Sequence, residues 1–238
     1  MKKIIIAGPC TFGSYEELYK IAKMLKEKGI EYLRAGTFKM RTSPDSFQGL
    51  RDEGMKMLLK IKDELGLKIV TELTSIEQVK KYGNKIDIIQ IGTRNMFNYE
   101  LLKEVGKVKS TILLKRGFSA TYDEWLKAAE YIKREGNKDI ILCERGIRSF
   151  SNETRNVLDL QAIPYIKKNS DYRIIIDPSH ASGHSYMVES MSKAAIAAGC
   201  DGLLIEAHYN PSESLCDAEE TIDMETLDRI IEYNKKDI

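Results

Sequence analysis

No apolar run in this chain approaches the length of a membrane span or a secretion signal. The first passes from Met1-Lys2-Lys3 into five residues, IIIAG, and then breaks; a spanning helix needs about 20. A bias toward one sign of charge is also missing. Lys and Arg number 37 and Asp and Glu 36, for a formal net charge of +1. Bulk charge therefore lends no support to a general affinity for nucleic acid or for a membrane. None of the four cysteines, Cys10, Cys143, Cys200 and Cys216, forms a CxxC pair. That pattern argues against a zinc ribbon and fits reduced thiols in a soluble, cytoplasmic protein. No GxGxxG follows the first apolar run, which argues against a dinucleotide-binding fold. Repeats, low-complexity tracts and Pro/Gly/Ser-rich linkers are absent too, so residues 1–238 read as a single domain.

What is there is an ordered alternation. Short runs rich in Ile, Leu and Val lie at 3–7, 31–35, 68–72, 86–91, 111–115, 139–143, 173–177 and 202–206. Their apolar residues are consecutive, as in parallel strands covered on both faces. Amphipathic segments separate or follow them, at 47–65, 75–82, 98–106, 122–135, 154–168, 185–198 and 224–235. A further one, SYEELYKIAKMLKEKG, sits between the first two runs. There Leu18, Ile21, Ala22 and Leu25 share one face, with Ser14 as N-cap and Gly29 as stop. About eight such units predict an α/β fold, a (β/α)₈ TIM barrel rather than a doubly wound sheet. The 42% hydrophobic fraction suffices for its core.

Nearly every run ends in a residue capable of chemistry, as a barrel with one active site at its C-terminal face requires. The basic residues stand out: Arg34, Lys39, Arg41, Arg94, Lys115, Arg116, Arg145 and Arg148 lie at or just past strand ends. Any one of them alone is adequately read as a surface charge on a loop. Contributions from five strands in a nearly neutral chain are not. Arginine's fork binds phosphate or carboxylate in bidentate fashion and lysine adds a point charge. The inferred ligand is strongly anionic, with room for more than one phosphate. Thr42 and Ser43, after Arg41, can add hydroxyl and backbone donors.

Cys10, His180, Glu206 and Asp217 are metal-ligand types distributed over three barrel ends. Taken singly, Cys10 reads equally well as a small buried hydrophobe and His180 as a hydrogen-bonding loop residue. Together, a thiolate, an imidazole and two carboxylates suit manganese, iron, zinc or cobalt better than magnesium or calcium.

At these residues the chain resembles a known family. AGPC at 7–10, LRAGTFKMRTSP at 33–44, FQG at 47–49, QIGTRNM at 90–96, LLKRG at 113–117, ILCERGIR at 141–148, DPSHASG at 177–183 and IEAHYNP at 205–211 are similar to 3-deoxy-D-arabino-heptulosonate 7-phosphate (DAHP) synthases of the short type I beta form. The resemblance covers nearly the whole chain. It implies a (β/α)₈ barrel that condenses phosphoenolpyruvate with erythrose 4-phosphate, the first step of the shikimate pathway. It implies one divalent metal on Cys10, His180, Glu206 and Asp217, acting as a Lewis acid on the tetrose aldehyde. Phosphoenolpyruvate-binding groups fall on Arg34, Lys39, Arg94, Lys115 and Arg145, and the tetrose-phosphate motif on Lys39, Arg41, Thr42 and Ser43. Lys39, Lys115, Glu144 and His180 are the expected catalytic residues. Glu144, with Lys115 nearby, is expected to activate water, and Glu72 competes for that role. A homotetramer or homodimer without a feedback domain is also implied.

The sequence departs from the family pattern at Met40, where proline is usual, at Gly13, where glutamate is common, at His184, where a basic residue is common, and around Asp217, in LCDAEE rather than an LSDG-like run. Those departures bear on aldehyde preference and metal affinity. The nearest rival is 3-deoxy-D-manno-octulosonate 8-phosphate synthase, which takes arabinose 5-phosphate. Lys39-Met40-Arg41-Thr42-Ser43 is closer to the DAHP form than to that enzyme's Asn-Arg-Ser-Ser type of run. A non-catalytic barrel that binds a sugar phosphate is the rival from another class.

Overall fold

Runs of consecutive apolar residues need cover on both faces, and a closed barrel supplies it. The computed structural model describes residues 3–41 and 43–236. Thr42, one of the expected tetrose-phosphate residues, lies outside the described residues. Eight parallel strands close in sequence order: β1 (Ile4–Gly8), β2 (Tyr32–Arg34), β3 (Lys68–Glu72), β4 (Ile88–Ile91), β5 (Thr111–Lys115), β6 (Ile140–Glu144), β7 (Arg173–Ile176) and β8 (Gly202–Glu206). Closure is made by β1, where Ile6 stands opposite Tyr32 on one side and Leu204 on the other.

The two-residue period of a strand divides the apolar runs into two cores. Ile6, Val70, Ile88, Leu113, Ile141, Cys143, Ile175 and Leu204 fill the barrel. Their chain neighbours Ala7, Ile69, Ile89, Ile112, Leu114, Ile140, Leu142, Ile174, Ile176, Leu203 and Ile205 face the helices. Every residue that follows on a strand inherits one of these two directions, which decides who reaches the site.

The outer layer consists of α1 (Tyr15–Glu27), α2 (Arg51–Leu65), α3 (Ile76–Tyr82), α4 (Tyr99–Val105), α5 (Tyr122–Arg134), α6 (Ala162–Asn169), α7 (Pro178–Ser182), α8 (Ser185–Ala197) and α9 (Met224–Lys236). In α1 the expected face, Leu18, Ile21, Ala22 and Leu25, is the buried one, and the Ser14 side chain accepts from the Glu17 N–H. Among the described residues no helix is long and apolar enough to cross a membrane.

Three elements differ from the sequence expectation. α2 starts at Arg51 rather than 47, because the chain turns through Gly49 (φ 86°) and Arg51 (φ 53°). A Cβ on Gly49 would stand 2.3 Å from the Thr37 carbonyl oxygen, so only glycine fits. Residues 154–161 are not helical. Their backbone pairs with other loops instead: Arg155 N–H to Ser182 O at 3.0 Å, Asn156 N–H to Ala181 O at 2.9 Å, and Val157 reciprocally with Ile147 at 2.9 Å. The short α7 was not expected. Pro178 opens it, the Asp177 side chain caps it by accepting from the His180 N–H, and Gly183 (φ 73°) ends it. Its turn carries His180 over the barrel mouth.

Candidate active site

Extending the inner-facing positions one step past the apolar layers reaches Arg34, Glu72, Gln90, Lys115, Arg145, Asp177 and Glu206. A cavity of about 280 Å³ opens at this C-terminal end. Among the described residues its wall carries Arg34, Lys39, Arg41, Arg94, Lys115, Arg145 and Arg155 against two acids, Glu72 and Asp217. In a chain of net charge +1, that concentration of cations makes a local anion site. Arg145 is 3% exposed and its Nη1 has no hydrogen-bond partner. Burial lowers the pKa of its guanidinium. An enclosed cation with an unsatisfied donor of this kind is stabilised by an incoming anion.

Beside the cations lies a cluster of donor atoms. Single ligand atoms of Cys10, His180, Glu206 and Asp217 all lie within 4.8 Å of one another. Cys10 Sγ donates to Asp217 Oδ2 at 2.6 Å, and Lys39 Nζ donates to Cys10 Sγ at 2.6 Å. His180 Nε2 stands 3.2 Å from Glu206 Oε1. His180 Nδ1 is 2.7 Å from Asp177 Oδ2 but is not aligned for a hydrogen bond. Glu206 is 1% exposed, Arg34 holds one of its oxygens, and Oε2 is buried without a partner. Four convergent donors with an orphaned carboxylate oxygen among them fit a divalent cation.

Burial sets the protonation of this cluster. It pushes the Cys10 thiol well up, Glu206 adds to the effect, and Lys39 and Arg34 oppose it. Burial also lowers the His180 pKa, which favours the neutral, ligating imidazole. Asp217 is held at about 2 against its burial by His180, the Cys10 hydrogen bond, Lys39 and Arg155. With His180 neutral, the cations Lys39 and Arg155 carry the larger part. Asp217 has φ 57°, a left-handed geometry that aspartate tolerates better than most residues.

The loop after β2 brings Lys39, Met40, Arg41 and Ser43 to the cavity wall. Met40, in the place where proline is usual, accepts from Asn95 Nδ2 through its sulfur at 3.0 Å. Arg41 Nη1 stands 4.0 Å from Asp217 Oδ2.

Glu144 is elsewhere. On β6 the inner positions are Ile141, Cys143 and then Arg145, so Glu144 shares the outer face of Ile140 and Leu142. Its carboxylate is spent on Arg116 Nη1 at 2.9 Å and on the Gly146 N–H at 2.6 Å. It is fully enclosed, and burial raises its pKa. Arg116 is turned outward for the same reason, and also pairs with Asp159 at 2.8 Å. Glu144, expected to activate water, thus faces the helices and does not line the cavity. Glu72, on the inner face of β3, lines the cavity and accepts from Gln90 Nε2 at 3.3 Å.

Three contributors were missed in the sequence. Phe118 gathers guanidinium groups: the Cζ atoms of Arg94, Arg145 and Arg148 lie 5.7, 4.9 and 4.7 Å from its ring centroid. Arg155 lines the cavity from a segment read as helix. Asp177 was seen only as a strand end, yet it pairs with Lys115 at 2.6 Å. Strand parity could have found Asp177. No local signal marks the other two.

The whole of this architecture has relatives. The family model described as the DAHP synthetase I family matches residues 1–238. A phospho-2-dehydro-3-deoxyheptonate aldolase of Thermotoga maritima is 44% identical over 232 residues, 98% of this chain and 69% of that protein. A 2-dehydro-3-deoxyphosphooctonate aldolase of Geobacter sulfurreducens is 31% identical over 251 residues, 98% of this chain and 91% of that protein. The crystal structure of the Thermotoga maritima aldolase superposes with a TM-score of 0.94, covering 98% of this chain and 68% of that one. A truncated form of DAHP synthase from the same organism gives 0.91 at 41% identity, covering 98% and 86%. With a family match over its full length, and with relatives that share its barrel and nearly half its residues, the chain belongs to the DAHP synthetase I family.

Proposed function

We propose that this chain condenses phosphoenolpyruvate with erythrose 4-phosphate and water, giving 3-deoxy-D-arabino-heptulosonate 7-phosphate and inorganic phosphate. The observation that carries the reading is the buried Arg145, whose Nη1 has no hydrogen-bond partner, in a cationic cavity whose wall also carries His180 and Asp217 of the four-donor cluster. Cys10, His180, Glu206 and Asp217 would hold one divalent ion of the manganese, iron, zinc or cobalt kind, whose chemistry when bound is Lewis-acid polarisation of the tetrose aldehyde.

The chain's own residues do the rest. Arg34, Arg94, Lys115 and Arg145, with Lys39 beside them, hold the anionic groups of phosphoenolpyruvate. Arg41, Thr42 and Ser43 take the tetrose phosphate. Cations on both sides let two anions that would repel each other lie in attack geometry. Lys39, within 2.6 Å of Cys10 Sγ, favours the thiolate. Glu72, on the cavity wall, takes the proton of the water that captures the developing positive charge, and Lys115 stands by the departing phosphate. The chain works in the cytoplasm as one catalytic domain in a homodimer or homotetramer, with no nucleic acid or membrane partner.

The test is phosphate release by chelator-treated protein given phosphoenolpyruvate, with and without manganese, offering erythrose 4-phosphate or arabinose 5-phosphate. Release that requires both metal and the tetrose is expected. Preference for the pentose would move the activity to the octulosonate branch. A metal-induced rise in melting temperature with no turnover on either sugar would leave a binding barrel.

A further inference from the structure

The ligand candidates sit on loops that diverge from the ladder. β1 and β8 pair as far as Gly8 opposite Glu206, and the Ala207 N–H donates to Gly8 O at 3.1 Å. Beyond that point one loop carries Cys10, and the other runs ten residues further to Asp217. Two polar side chains that do not line the cavity, one buried and one half-buried, join these loops.

They are Glu17, in the first turn of α1, and His208, two residues past β8. Glu17 Oε2 accepts the Gly13 N–H at 2.7 Å, three residues past Cys10. Glu17 Oε1 lies 3.2 Å from His208 Nε2. The Asn210 N–H donates to His208 Nδ1 at 2.9 Å, so Nδ1 is an acceptor and the ring proton sits on Nε2, aimed at Glu17. The imidazole is fully enclosed and Glu17 is 17% exposed. The result is one bonded path from the β1 loop through a carboxylate and an imidazole to the β8 loop.

Two contacts reinforce it. Lys20 Nζ sits 3.6 Å from the Tyr209 ring centroid. Gly13 lies beneath Leu215, whose Cδ1 would be 2.9 Å from a Cβ there. Ser14 caps α1, and Glu17, in its first turn, reaches back to the Gly13 N–H; the His208 contact is additional to that capping. Packing alone would be served by apolar side chains, whereas a hydrogen-bonded pair specifies direction.

We infer that Glu17 and His208 are positioning residues of the metal centre: they hold the Cys10 loop and the Glu206–Asp217 loop at the separation that lets the four donors converge. The inference rests on the metal reading proposed above. Removing a partner bonded directly to a ligand costs metal sites about ten- to a hundredfold in affinity; Glu17 and His208 act one step further out, through the loops, so the lower end of that scale applies.

The experiment is titration of the chelator-treated full chain with Mn²⁺, reading free Mn²⁺ by electron paramagnetic resonance, together with the thiolate-to-metal absorption on Co²⁺ loading. Glu17→Ala is expected to raise the Kd for Mn²⁺ about tenfold, the lower end of the scale for direct ligand partners, and to weaken the Co²⁺–thiolate band, with the metal-free protein still melting cooperatively. Glu17→Gln keeps an acceptor for only one of the two donors and is expected to fall between Glu17→Ala and the parent. Should Glu17→Ala not fold, Glu17→Gln decides, and a Kd equal to the parent's overturns the inference. Cys10→Ala is the control. If it loses Mn²⁺ while Glu17→Ala binds like the parent, the positioning role is refuted and the metal reading stands. If Cys10→Ala itself binds like the parent, the metal reading fails and the inference falls with it.

Discussion

Lys115 Nζ and Asp177 Oδ2 stand 2.6 Å apart inside the barrel, the lysine 4% exposed and the aspartate fully enclosed. The same carboxylate accepts the His180 N–H at 3.0 Å. Burial opposes its ionisation, but His180 when charged, and Lys115, hold it well below the usual carboxylate range; with His180 neutral, Lys115 carries the larger part. One side chain thus orients a cation of the anion site and a candidate metal ligand, and couples the two halves of the cavity.

Asp177→Asn is expected to be strongly destabilising, because it leaves the Lys115 charge buried without its counter-ion. Breaking a buried pair costs about 3–5 kcal/mol. Urea unfolding of the metal-free protein measures this, and a loss below about 1 kcal/mol would mean that the pair is solvated.

Arg145 makes the opposite case. Its Nη1 is buried and unpartnered, so Arg145→Met is expected to leave the ligand-free protein as stable as the parent, or slightly more so. The same change is expected to raise the KM for phosphoenolpyruvate about tenfold or more, since a charge-assisted bond contributes about 1.5–3 kcal/mol. An unchanged KM would remove Arg145 from the substrate site.

Glu72 and Glu144 separate by which face of the sheet they occupy. Glu72→Gln is expected to lower kcat at least about a hundredfold, the usual scale of a lost general base, with little change in stability. Glu144→Gln is expected to weaken the link to Arg116 and lower stability, with kcat within a few-fold of the parent. The reverse pattern in steady-state kinetics would return water activation to Glu144.

The thiols are expected to be slow toward alkylation in the folded chain. All four are buried. Burial pushes Cys200 up to about 11 and raises Cys143 and Cys216 as well. At pH 8 about one Cys200 in a thousand is thiolate, the form that reacts. Raising the pH toward 10 is expected to speed labelling before unfolding does. Rapid modification of any thiol at pH 7.5, followed by mass spectrometry, would contradict this burial.

Much of the molecule was legible in the residues. Consecutive Ile, Leu and Val in IIIAG, TILLK and GLLIE allow only strands with two covered faces, and the apolar stripe of α1 allows only one orientation. Motifs such as DPSHASG and IEAHYNP carried the family. Residues 154–161 misled because a stretch of mixed polarity next to a true helix carries the helical period by chance, while its backbone partners, Ser182 and Ala181, lie some 25 residues away.

The sequence by itself determined the barrel, its eight units and the kinds of side chain at the strand ends, because those follow from hydrophobic period and local capping. Only the tertiary structure decided which of them meet. Cys10 and Asp217 are 207 residues apart and touch only because closure of the barrel brings β1 against β8. Glu144 and Arg145 are adjacent in the chain and face opposite ways, because the pleat of β6 sends one to the helices and the other into the cavity.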